Sequence, residues 1–98
     1  MSLVELEGGR FAVAPYGERS WVKNARAAGR VELRRGRKRE AARVEELSAP
    51  AAVPVLREYY RRGLVTRPFF AVNLESPDEA WLAEAPRHPV FKLVPYSG

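Results

Sequence analysis

Cysteine is absent from this 98-residue chain, which excludes disulfides, thiolate chemistry and cysteine metal sites. Histidine occurs once, at His88. The chain carries no metal-ligand cluster, no Ser-His-Asp set and no glycine-rich phosphate loop, so no metal is expected and no catalytic side chain is assigned. Its first residues, MSLVELEGGR, lack the basic start and long apolar stretch of a secretory signal. Nor does any apolar run approach the ~20 residues that cross a bilayer. Repeats and low-complexity tracts are also missing. These absences predict a soluble protein of a reducing cytoplasm with no membrane contact.

What is present suits a globular fold. Hydrophobic residues make up 46% and charged residues 30% of the chain, an ordinary balance for a packed protein. The length predicts one domain over 1–98, with no room for a second core. The net charge is +5, and most of the excess falls in one place. RVELRRGRKRE, from Arg30 to Glu40, holds six basic residues against two Glu. Such a segment is first a solvated hairpin, next an anion-binding face for a cofactor tail, and last a nucleic-acid contact.

Strands are predicted over Leu3–Leu6 and Arg10–Pro15, joined by Glu7-Gly8-Gly9. Phe11 and Val13 fall on one face of the second strand, Ala12 and Ala14 on the other. That small-residue face leaves room for a flat ligand or for a packed helix. Ser20 is expected to cap a helix reaching Ala28, with Gly29 as its stop. Its apolar stripe is Trp21, Val22, Ala25 and Ala28.

A second hairpin, Arg30–Arg35 and Lys38–Leu47, should turn at Gly36-Arg37 in type II′ geometry. Val31, Leu33, Ala42 and Val44 would then share the inner face, while Arg34 stands opposite Arg39. Like charges opposed in this way cost about 0.2–1 kcal/mol unless an anion lies between them. A further helix is expected from near Val53, with Pro54 in its first turn and Gly63 as its end. Ser76-Pro77-Asp78-Glu79 reads as a capped start for a short third helix, and Val90–Val94 as the last strand. About five strands and three helices predict an α+β fold, a small curled antiparallel sheet or partial barrel covered by helices.

The run VELEGGRFAVAPYGERSWVKNARAAGRVELRRGRKRE resembles the middle of the deazaflavin-dependent nitroreductase family. A strand enters a Gly/Pro loop, Trp21 and Asn24 follow three apart on a helix, and Gly29 and the basic hairpin come after. APRHPVFKLV resembles the closing strand of one branch of that family. The resemblance implies a small antiparallel split β-barrel, here an N-terminally shortened version. Family members carry a Gly-Arg-Lys-Ser-Gly-like phosphate-holding segment, and this chain is expected to begin beyond it. The resemblance also implies an oxidoreductase that passes a hydride from reduced coenzyme F420, a deazaflavin, to a small organic acceptor such as a quinone or nitro compound. FMN is the alternative cofactor, and a homodimer is the implied assembly.

By the same resemblance, the cofactor-binding residues are Ala14, Pro15, Tyr16, Gly17, Ser20, Trp21 and Lys23. Backbone N–H groups in this loop and at the helix start would face an anionic ring or phosphate. Tyr60, Phe69 or Phe70 would wall the acceptor pocket. Each has a plainer reading: a turn for Ala14–Gly17, core packing for Trp21, a solvated side chain for Lys23. His88 is read as a structural loop residue in preference to a catalytic acid. The competing functions are a non-catalytic barrel remnant used for dimerisation or ligand binding and, with least support, a basic nucleic-acid-binding β domain. That last reading lacks the aromatic pair on a strand that stacks on bases.

Overall fold

A computed structural model of the chain describes residues 2–63 and 66–95, without the side chain of residue 35. Residues 64 and 65 of the aromatic connection and residues 96–98 lie outside the described residues. Five strands, β1 (Ser2–Leu6), β2 (Gly9–Val13), β3 (Arg30–Arg35), β4 (Lys38–Glu46) and β5 (Val90–Pro95), form one sheet in the order β1-β2-β5-β4-β3. Every pairing is antiparallel. Three helices accompany it: α1 (Ser20–Ala28), α2 (Ala49–Arg62) and α3 (Asp78–Glu84).

The expected α+β class is therefore present, but the sheet does not close into a barrel. β1 and β3 are its two free edges. Closure requires the edge strands to meet, and here the chain returns to the middle of the sheet as β5 instead.

Alternation along the strands builds two cores. On one face Val4, Val13 and Val90 pack with Leu56, Tyr60, Phe70 and Trp81 from α2, α3 and the segment between them. On the other, Ala12, Ala14, Leu33, Ala42, Phe91 and Leu93 pack against Val22 and Ala25 of α1. The small residues of β2 thus make room for a helix, and the flat-ligand reading of that face gives way. Burial of each large side chain contributes about 1.5–3 kcal/mol. Ala28, expected in the apolar stripe of α1, is exposed, because the stripe needs only Val22 and Ala25 at the contact.

The hairpins follow their turn chemistry. Leu6 pairs with Gly9, so the first loop is Glu7-Gly8 and Gly9 already belongs to β2. In the second, Arg35 pairs with Lys38 and Arg34 with Arg39. Gly36 has φ +60 while Arg37 stays out of the positive region, the combination a type II′ turn requires.

Helix starts were less legible. Arg19, not Ser20, is the N-cap of α1, and no side-chain cap bond forms. α2 begins at Ala49, ahead of the expected Val53, with Pro50 in its first turn and Pro54 inside. Pro50 costs no bond, because first-turn N–H groups have no intrahelical partner, whereas Pro54 forgoes the bond its N–H would make to the carbonyl four residues earlier. Pro77 is the N-cap of α3. Ser76 turns back instead, its Oγ accepting from the Asn73 N–H at 3.0 Å.

Arg26 ties α1 to the sheet, with Nη1 2.8 Å from Glu18 Oε1 and Nη2 2.7 Å from Glu46 Oε2. Hydrogen bonding and charge from Arg26 hold the Glu18 carboxyl below its ordinary range. A depressed folded value means this contribution is present above the ordinary carboxylate range and fades as pH falls through the lowered value. NMR titration of the Glu18 carboxyl should show its midpoint rising in Arg26→Gln. An unchanged midpoint would mean the contact does not persist in solution.

Candidate functional site: the loop after strand β2

The loop that follows β2 is held from behind by the turn that precedes β5. The Ala14 N–H donates to Pro89 O at 2.9 Å, and the Gly17 N–H to Ala14 O at 3.2 Å. Gly17 has φ +86, and a Cβ there would stand 3.5 Å from Arg87 O. Glycine therefore serves the backbone conformation first, since an L side chain is strained at this φ.

Beneath the loop lies a polar cluster in the interior. Glu84 is 4% and His88 2% exposed. His88 Nδ1 lies 2.8 Å from Pro15 O, and Nε2 lies 2.6 Å from Glu84 Oε2. A carbonyl oxygen only accepts, so Nδ1 carries a hydrogen and donates to Pro15. The Nε2–Oε2 contact then needs one further proton between the two atoms. The Ala71 N–H also donates to Glu84 Oε2, at 3.2 Å, and Arg87 Nη1 is 3.5 Å from Oε1. Both contacts anchor Glu84 beneath the loop. Phe70 stacks on the imidazole ring, with centroids 3.9 Å apart and planes at 13°. Burial of such a pair is tolerated because nearly every lone pair and hydrogen is used.

Above this support, Pro15, Tyr16, Gly17, Phe69, Arg87 and His88 line a concavity of about 260 Å³. Tyr16 and Phe69 are 46% and 50% exposed, and their rings meet edge to face with centroids 4.6 Å apart. The Arg19 guanidinium lies 5.5 Å from the Tyr16 ring centroid. Beside it α1 begins with no acidic residue in its first turn. Its first intrahelical bonds run from Val22 and Lys23 to Arg19 O, at 3.0 and 3.4 Å. The N–H groups of Ser20 and Trp21 precede them at the positive end of the helix.

The expected site residues divide. Pro15, Tyr16 and Gly17 meet at the concavity. Ala14 is buried against α1 and offers only backbone. Ser20 and Lys23 are exposed on the first turns of α1. Trp21 belongs elsewhere, with its ring 5.7 Å from that of Phe91. It lines a separate hollow with Asn24, Ala28 and Val31. Of the three aromatics expected at an acceptor pocket, Phe69 is at the concavity, while Tyr60 and Phe70 are core.

Sequence reasoning missed Glu84 altogether. The one available signal was its i, i+4 spacing to the lone histidine, and a 3-10 turn at Ala85–Arg87 hides that relation. Among the described residues no group of three or more His, Asp or Glu could hold a metal, and no helix is long and apolar enough to cross a membrane.

The fold and the site define an α+β protein with an open antiparallel sheet and a cation-rimmed aromatic concavity at one strand end. Comparison with known proteins finds no family model, curated protein or solved structure that matches the chain.

Proposed function

We propose that the chain is a deazaflavin-dependent oxidoreductase, an open variant of the split-barrel architecture that acts on a small organic acceptor, working as a homodimer. The observation that carries this reading is the exposed Tyr16–Phe69 pair over the concavity at the start of α1. It lies within the loop that the resemblance to the deazaflavin family marks.

The residues fit such a cofactor in part. Aromatic edges suit a flat conjugated ring, while Arg19, Arg87 and the helix start suit an anionic tail. The concavity is at the small end for an organic ligand, so it takes a ring edge or the acceptor and leaves the rest of the cofactor on the surface. When bound, the reduced deazaflavin supplies the hydride. The chain's own part is to hold the loop still: His88 pins the Pro15 carbonyl, and Tyr16 and Phe69 wall the ring from water. Both His88 nitrogens are engaged and the ring is buried, so the histidine's part is to position the loop.

Titration with oxidised coenzyme F420, with FMN as control, tests the reading by absorbance and fluorescence. Saturable F420 binding should weaken up to about 10-fold in Tyr16→Ala or Phe69→Ala and change little in Trp21→Ala. Loss in Trp21→Ala alone would move the ring to the other side of α1. No binding of either cofactor would sink the proposal.

A second reading is a non-catalytic dimerisation module. The free edge β1, where Leu3 is 49% exposed, favours it, since unpaired edges recruit strands. A dimer that binds no cofactor would support it.

A further inference from the structure

Four arginines stand on one face of the β3–β4 hairpin, the face turned away from α1. Arg30 is directly opposite Arg43 and Arg34 opposite Arg39. Neither α2 nor α3 covers this part of the sheet, and all four are exposed. Elsewhere in the chain Arg10, Arg26, Arg57, Arg61, Arg62 and Arg87 each pair with a carboxylate. Among the described residues, the four on this face form no ion pair. Glu32 sits between the two arginine pairs, opposite Ala41, without engaging either. Lys92 and Glu45, one charge of each sign, stand opposite each other at the border with β5.

Two like-charged pairs face to face across a ladder oppose folding, and an anion between each pair removes that repulsion. The pairs are four residues apart along the strand, about 13 Å. A single phosphate reaches one pair only. An anion that serves both must be extended and carry charge repeatedly. The guanidinium fork matches phosphate oxygens two at a time. Among the described residues, the neutral side chains of this face beside the arginines, Ala41 and Val94, offer no platform for stacking a base.

We infer that this face docks a chain of phosphates, held by its backbone charge and without base readout. It is separate from the concavity at Tyr16, and the inference stands whether or not a deazaflavin binds there.

Fluorescence anisotropy with a labelled single-stranded oligonucleotide tests it. Four contacts predict a slope of about −3 in log affinity against log salt, hence about a 50-fold loss between 50 and 200 mM. Arg34→Gln/Arg39→Gln should halve that slope while leaving the melting temperature equal or higher, which separates lost contacts from lost folding. Glu32→Gln should tighten binding. Competition identifies the source: inorganic polyphosphate matching the oligonucleotide per phosphate assigns the face to phosphate chains in general. Competition by nucleic acid alone assigns it to nucleic-acid backbone. Absent binding at 50 mM salt, an unchanged slope in the double variant, or equal competition by polyglutamate would each overturn the inference.

Discussion

Glu84→Ala should lower the unfolding free energy by about 3–5 kcal/mol, because it leaves the buried Nε2 of His88 without its partner and opens a cavity beneath the loop. It also removes the acceptor for the Ala71 N–H. Glu84→Gln should be far milder, about 1–2 kcal/mol. Its amide can donate to Nε2 of a neutral His88 that still gives its Nδ1 hydrogen to Pro15. Urea denaturation of the two variants separates these cases. Equal losses would mean that the shared proton is not what holds Glu84 and His88 together. The mild variant should also retain the geometry of the Ala14–Gly17 loop, so any ligand bound at Tyr16 should survive in Glu84→Gln and be lost in Glu84→Ala.

Trp81→Ala should be comparably damaging, at about 3–5 kcal/mol. Trp81 is fully buried and contacts Tyr60 edge to face at 5.7 Å. Its indole N–H donates to Asn73 O at 3.0 Å, and the Arg57 guanidinium lies 5.5 Å from its ring centroid. Arg57 in turn pairs with Asp78 at the start of α3. Removing the indole therefore empties the contact between α2 and α3 and frees the carbonyl of the connection between them. For a chain of this size the melting temperature should fall roughly 12–25 °C. Trp81→Phe keeps the ring contacts and loses the donor, and should cost about 1–2 kcal/mol. If Trp81→Ala shifted the transition by no more than Trp81→Phe, the packing described for α3 would be wrong.

The hairpins, the reach of α1 and the last strand were legible because their causes are local. Gly36 sets the register that puts Arg34 against Arg39, and alternation along β2 sorts Phe11 and Val13 from Ala12 and Ala14. The helix starts were misread where side chains had other partners, as when Ser76 bonded the turn at Asn73. The site was half legible. The chemistry of Pro15, Tyr16 and Gly17 marks a turn, but Phe69 and Arg87 reach it only through the fold.

Local spacing and turn chemistry thus determined the strands, two of the hairpin details and the arginine face, since each depends on residues a few positions apart. Tertiary structure alone decided that β5 enters the middle of the sheet and leaves two edges open. It alone set Trp21 against Phe91 and Tyr16 against Phe69. It alone brought His88 under Pro15, 73 positions away. Burial and long-range pairing are properties of the whole packed chain: a histidine in a Pro-flanked turn looks the same in sequence whether water or a glutamate meets its ring.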